Sequence, residues 1–321
     1  MNRRRVLLQW AATCAAIPAA RAAQAVAVDD DTWHDGSRSR TLPLRIRWPD
    51  GDAPCALIVH SHGLGGSRSG GDVWGQAWRQ AGFAVLHLQH PGSDTVVFRG
   101  GMAAVRAAAS VEQWRARVAD MQFAVDEVLR RAQRRDGQWS RVRSDALGAS
   151  GHSFGASTVQ ALAGQRVAVA TAGIAEPRLK AFIALSPSPA QGLPASEALA
   201  AVMRPFLVVT GSQDSDALGR GLTGEDRSSV YDALPPGRRA LLWLSGADHM
   251  TFAGNAERRL RARSGPLARA PKAAALEPQH HARVAAITTL WWQAHLLGDA
   301  AALAALRAPS GLTEGDRWRQ D

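Results

Sequence analysis

"ALGASGHSFGASTVQALAG" (146–164) joins a run of small and apolar residues directly to a helix-like one, with Gly151-His152-Ser153-Phe154-Gly155 at the seam. Glycine makes up 30 of the 321 residues, so a Gly-x-Ser-x-Gly pattern decides little alone. Its surroundings decide more. "ALGASG" (146–151) reads as a buried strand and "FGASTVQALAG" (154–164) as a helix stopped by Gly164. Glycines at 151 and 155 leave room for a sharp strand-to-helix turn that larger side chains would obstruct. The helix points the positive end of its dipole at Ser153, where an oxyanion would form. Ser153 is therefore a nucleophile candidate on a strained turn.

A serine hydroxyl attacks an ester only with a base beside it, and the base needs an acid to orient it. Further strand-like runs lie on either side of the turn, at 42–48, 55–61, 84–89, 181–186, 206–211 and 240–246. "GSQDSD" after the run 206–211 supplies Asp214 and Asp216, and "GADHM" after 240–246 supplies His249. Ser153, Asp214 and His249 thus follow one another at the ends of separate strand-like runs, where open α/β sheets bind their ligands. Asp214 is preferred as the acid because it lies nearer its strand end; Asp216 is the alternative. Such a base predicts a rate that rises with pH through about 7, as an imidazole loses its proton.

The strands alternate with helical patterns. "SVEQWRARVADMQFAVDEVLRRAQ" (110–133) sets Val111, Trp114, Val118, Met121, Val125, Val128 and Ala132 on one stripe, and 277–298 reads as a last helix. This alternation predicts an α/β fold with a mostly parallel, doubly wound sheet covered by helices on both faces. Residues 26–48 are expected to add an antiparallel edge through a turn at Asp35-Gly36. Trp74 and Trp78, four apart, read as one face of a short helix, for core packing in preference to substrate stacking. The segment 215–230 reads as a loop over the site, and the arginine-rich stretch 254–276 as an insertion before the last helix.

"HSHGLGGSRSGG" (60–71) follows a central strand, where an oxyanion-binding N–H would come from. Leu64 and Phe154 are the expected backbone donors. The glycine cluster lacks the Gly-Lys-Ser/Thr ending of a phosphate cradle. His60 and His62 share a strand face but have no third ligand at fitting spacing, so no metal is expected. "HPGSD" (90–94) reads equally as a turn or as a pocket edge through Asp94. His280-His281 is expected to cap or pack at a helix start. Cys55 opens a strand and reads as a packing residue.

The first 25 residues differ in kind. Arg3-Arg4-Arg5, an apolar stretch from Val6 to Ile17, then Ala20-Arg21-Ala22 and Ala23-Gln24-Ala25 make an export signal with two cleavage candidates. The arginines resemble the twin-arginine export motif. The expected division is thus 1–25 signal, 26–300 catalytic domain, and 301–321 helix end and tail, in an exported, periplasmic or secreted protein. The formal charge of +10 loses four arginines with the signal, and Cys14 leaves too, so Cys55 stands alone. No basic cluster carries interleaved aromatics, which argues against nucleic acid. No internal apolar run is long enough for a membrane anchor.

Together, "LPLRIRWP", "HSHGLGGSR", "LQHPGSD", "GHSFGAST", "VVTGSQD", "LPPG", "GADHMTFAG" and "WWQAHLLGDAAALAAL" resemble the α/β-hydrolase superfamily over about residues 40–300. Within it the chain is similar to exported dienelactone hydrolase-like and platelet-activating-factor acetylhydrolase-like esterases, with bacterial polyester hydrolases more distant. The resemblance implies Ser153 as nucleophile, Asp214 as acid, His249 as base, Leu64 and Phe154 as oxyanion donors, and no cofactor. Dienelactone hydrolases attack with cysteine, whereas serine stands here, so the implied substrate is a general small-molecule carboxylic ester. An acyltransferase or peptidase could run on the same residues, and a binding protein could reuse the scaffold.

Overall fold

The structure, a computed structural model, describes residues 28–168, 174–216, 221–255 and 271–321. The expected export signal, residues 217–220 of the expected loop and most of the arginine-rich stretch lie outside these residues. In chain order the strands are β1 (Val28–Asp35), β2 (Arg40–Arg47), β3 (Cys55–Ser61), β4 (Ala84–Leu88), β5 (Val142–His152), β6 (Leu179–Leu185), β7 (Phe206–Gln213), β8 (Arg239–Asp248) and β9 (Arg317–Gln320). The helices are α1 (Asp72–Gln80), α2 (Gly101–Ala107), α3 (Val111–Arg134), α4 (Phe154–Ala163), α5 (Ala195–Leu199), α6 (Gly224–Ala233), α7 (Pro271–Leu296) and α8 (Ala300–Ala305). The strands form one sheet in the order β1-β2-β4-β3-β5-β6-β7-β8-β9. Neighbours from β4 through β8 pair in parallel, while β1, β2 and β9 add antiparallel edges.

Side-chain alternation along the strands feeds two cores. Leu57, Val59, Leu147, Phe182 and Val208 face α3, α4 and α6, whereas Ile58, Val85, Ile183, Leu207 and Leu242 face α1, α7 and α8. Both faces are covered, which is why these strands read as unbroken apolar runs. Trp74 and Trp78 are fully buried on the second face, with the Trp78 indole donating to Thr288 Oγ1 at 2.9 Å. Cys55 is buried, and burial raises its thiol pKa. No helix among the described residues is long and apolar enough to cross a membrane.

Four expectations need correction. The segment 215–230 is not all loop: α6 starts at Gly224, where Thr223 and Asp226 cap each other's backbone groups. The last helix begins at Pro271, not 277, and carries Pro278 inside it. His280 and His281 consequently lie in mid-helix, donating from Nε2 to the carbonyls of Ser245 and Thr251 at 3.1 and 3.0 Å. The tail contains β9, held to β8 and anchored by Trp318 Nε1 donating to the Leu306 carbonyl at 2.7 Å.

Candidate active site

β5 carries its chain to the C-terminal edge of the sheet and turns at once into α4. Ser153 sits at that turn with φ 54° and ψ −112°, a conformation L-residues avoid. Two glycines permit it. A Cβ at Gly151 would collide with the Gly155 carbonyl, and one at Gly155 with the Ser61 carbonyl, so the turn presses directly on the end of β3. The Ser153 N–H donates to the Leu185 carbonyl at 2.9 Å, tying the strained residue to β6.

Three side chains from three strand ends meet here. His249 Nε2 lies 2.9 Å from Ser153 Oγ, and His249 Nδ1 lies 2.7 Å from Asp214 Oδ1. Asp214 is fully buried, and burial alone would raise its pKa; the His249 hydrogen bond, the His249 and Arg227 charges and the Ser186 hydroxyl outweigh it and lower the pKa. An ionised carboxylate only accepts, so Nδ1 donates to Asp214 and Nε2 is the ring nitrogen that faces the serine hydroxyl. The other carboxylate oxygen accepts from Ser186 Oγ at 2.6 Å and Thr210 Oγ1 at 2.8 Å. Asp216 does not reach the imidazole; it lines the cavity in front of it.

The cavity has a volume of about 900 Å³ and is bordered by Ser153, His249, Leu64 and Phe154. Phe154 opens α4, where the N–H has no acceptor within the helix. Leu64 follows His62-Gly63, and among the described residues its N–H has no protein acceptor. A serine with a hydrogen-bonded imidazole and an orienting carboxylate, beside a cavity lined by two residues whose N–H groups lack a protein acceptor among the described residues, is equipped to attack an acyl carbonyl.

Several supporting residues gave no sign in the sequence. Arg227 of α6 bonds the Asp214 backbone carbonyl at 2.9 Å and lies 3.0 Å from its carboxylate, fixing the acid from behind. His152 Nε2 donates to the backbone carbonyl of His249 at 3.0 Å, so the residue before the serine holds the residue that would act as its base. Burial, then the His249 charge, pushes the His152 pKa well down. Ser186, directly after β6, has φ 53°, a second non-glycine residue in left-handed backbone at this site.

Arg117 is the least expected. Fully buried on α3, it donates to the His62 carbonyl, to Ser61 Oγ at 3.1 Å and to Ser93 Oγ at 2.9 Å, and its guanidinium lies 4.9 Å from the centre of the Phe154 ring. It therefore contacts both segments that carry the expected oxyanion donors. Burial pulls its pKa to about 9, which leaves it a cation at neutral pH.

The remaining candidates fall outside the chemistry. His62 donates from Nδ1 to the Gly63 carbonyl at 2.6 Å and accepts at Nε2 from the His90 N–H at 3.1 Å, so both ring nitrogens are used. His60 Nδ1 is 2.8 Å from Ser150 Oγ. No group of three metal-ligating side chains occurs among the described residues. Asp94 caps a 3-10 turn, accepting from Val96 N–H at 3.1 Å and from Gln89 Nε2 at 2.8 Å, which favours the turn reading of "HPGSD". No protein-family model matches the chain, and no curated protein matches it.

Proposed function

We propose that this protein is an exported, serine-dependent carboxylic ester hydrolase of the α/β-hydrolase superfamily. The unbroken series Ser153 Oγ, His249, Asp214 at 2.9 and 2.7 Å is the observation that carries the reading. Ser153 Oγ attacks the acyl carbonyl carbon while His249 Nε2 takes its proton, and the N–H groups of Leu64 and Phe154 receive the oxyanion. Collapse of the tetrahedral adduct breaks the bond to the alkoxy oxygen, which leaves as alcohol with the proton from His249. Water then attacks the acyl-enzyme, its proton passes to His249, and collapse releases the acid and restores the Ser153 hydroxyl. Asp214 keeps the imidazole in one tautomer throughout. The motif "GHSFGAST" and the basic, apolar stretch at the start of the sequence support esterase chemistry and export respectively.

The test is labelling with a fluorophosphonate and mapping the modified residue by mass spectrometry. Modification at Ser153, abolished in Ser153→Ala together with a loss of kcat on the order of 10⁴- to 10⁶-fold, is the expected result. Esterase activity retained in Ser153→Ala removes the proposal.

A further inference from the structure

The cavity wall nearest the oxyanion loop is built by an unusual piece of chain. Between β4 and α3 the polypeptide makes a 3-10 turn (Thr95–Gly100) and then α2, and of these residues only Val105 is buried. Their apolar side chains serve the cavity more than the core: Phe98, Met102 and Val105 line it, joined by Val111 and Trp114 from the start of α3. Val96, Phe98 and Val111, at 52%, 38% and 38% exposure, are three of the six large exposed hydrophobic residues among those described, and they fall within one 16-residue stretch. A Cβ on Gly65 would lie 2.5 Å from the Phe98 ring, so this wall starts beside Leu64.

Sheet order says which half of an ester would lie there. Ser153 follows β5; His249 and Asp214 follow β8 and β7 on one side, whereas the Phe98–Trp114 wall follows β4, on the other. The leaving alkoxy oxygen must be near His249 Nε2 to receive its proton, which directs the acyl group away from β8 toward the wall. Charge narrows the choice further. Among the described residues Arg45 is the only lysine or arginine lining the cavity, and its guanidinium is bound by Asp30 at 2.7 and 3.1 Å. Asp72, also in the lining, is paired with Arg47. We infer that the substrate's acyl group is uncharged, apolar and larger than acetyl, a medium-chain or aromatic acyl, and that Phe98, Met102 and Val111 set its size.

This inference rests on the esterase reading, and the test separates the two. The rate constant kcat/KM is measured for p-nitrophenyl acetate, butyrate, hexanoate, octanoate, benzoate and hemisuccinate. Each methylene that leaves water contributes roughly three- to fourfold, so octanoate or benzoate is expected to exceed acetate at least about tenfold and the anionic hemisuccinate to be the poorest. Met102→Trp fills the wall and Phe98→Ala opens it. Neither side chain belongs to a packed core, and each variant is checked for folding by fluorophosphonate labelling. Met102→Trp is expected to lower the octanoate-to-acetate ratio about tenfold, and Phe98→Ala to raise the KM for octanoate more than that for acetate. Acetate as the best substrate, or a chain-length profile that neither substitution moves, overturns the inference. Absence of label on Ser153 instead overturns the reading of the site.

Discussion

Asp214 has a partner on every side: His249 and Arg227 at Oδ1, Ser186 and Thr210 at Oδ2, and Arg227 again at its main-chain carbonyl. Asp214→Asn would set an amide among groups that are nearly all donors and would favour the wrong imidazole tautomer. A fall in kcat of about 10³- to 10⁴-fold is expected, against less than about threefold for Asp216→Asn; steady-state kinetics on one ester decides it. Arg117→Met keeps the bulk but withdraws the donors to His62, Ser61 and Ser93 and the cation behind Phe154. It is expected to lower kcat by roughly 10- to 100-fold with little change in KM, because the loss falls on the oxyanion and not on the bound ester. Equal losses in activity and in urea midpoint, with no change in affinity for a boronic acid mimic of the adduct, would make Arg117 a packing residue only. At this scale Ser153, Asp214 and His249, which the structure brings together, were legible because each follows a strand in chain order. Arg117, His152 and Arg227 were not, since their partners lie far away in sequence or on the main chain, where residue type leaves no trace.

The elements were legible where they are buried on two faces and obscure where they are not. β3 and β5 to β8 stand out as apolar runs, and α3 as a stripe, although Val111 at its start faces the cavity and not the core. α6 escaped notice because Val230 and Tyr231 are its only large apolar buried residues, yet the Thr223/Asp226 capping pair was a usable signal. The start of α7 is obscure in the sequence because Pro278 reads as a helix opening; the helix carries Pro278 inside it, while Pro271 occupies its first position. β9, "RWRQ", is four residues with one tryptophan, too short for a periodic pattern. Two expectations belong here. Gly155→Ala drives a methyl group into the end of β3 and is expected to cost on the order of 1–3 kcal/mol or to prevent folding, read from urea unfolding. Deleting residues 317–321 removes the Trp318 anchor and the 2.8 Å Arg239–Asp321 pair and bares the edge of β8; a lower urea midpoint and concentration-dependent association are expected.

Across the molecule, histidines are kept neutral inside. Burial, assisted by neighbouring positive charge, holds His87 down to about 3 and His90 to about 4, and pushes His60, His62 and His152 well below the usual imidazole range. In the unfolded chain each takes up a proton near pH 6.5, so between that value and the folded-state values the unfolded state binds more protons. Stability from these groups is therefore complete above about pH 7 and is lost as pH falls, by about 1.4 kcal/mol per pH unit per histidine. The urea midpoint is expected to drop steeply from pH 6.5 to 5; a constant midpoint over that range would contradict the neutral, buried rings. The turn that bears His249 has its carbonyls engaged from several directions. Gly71 and Val73 amides reach Ala253 and Gly254 at 2.9 Å, the Trp74 indole reaches Phe252 at 3.3 Å, His281 reaches Thr251 at 3.0 Å, and His152 reaches His249 itself. In deuterated buffer, the Gly71 and Val73 amides should consequently stay protonated for as long as the sheet does, although both sit at the N-terminal end of α1 where amides have no acceptor within the helix, and should begin to exchange only when the β3 and β8 ends open together.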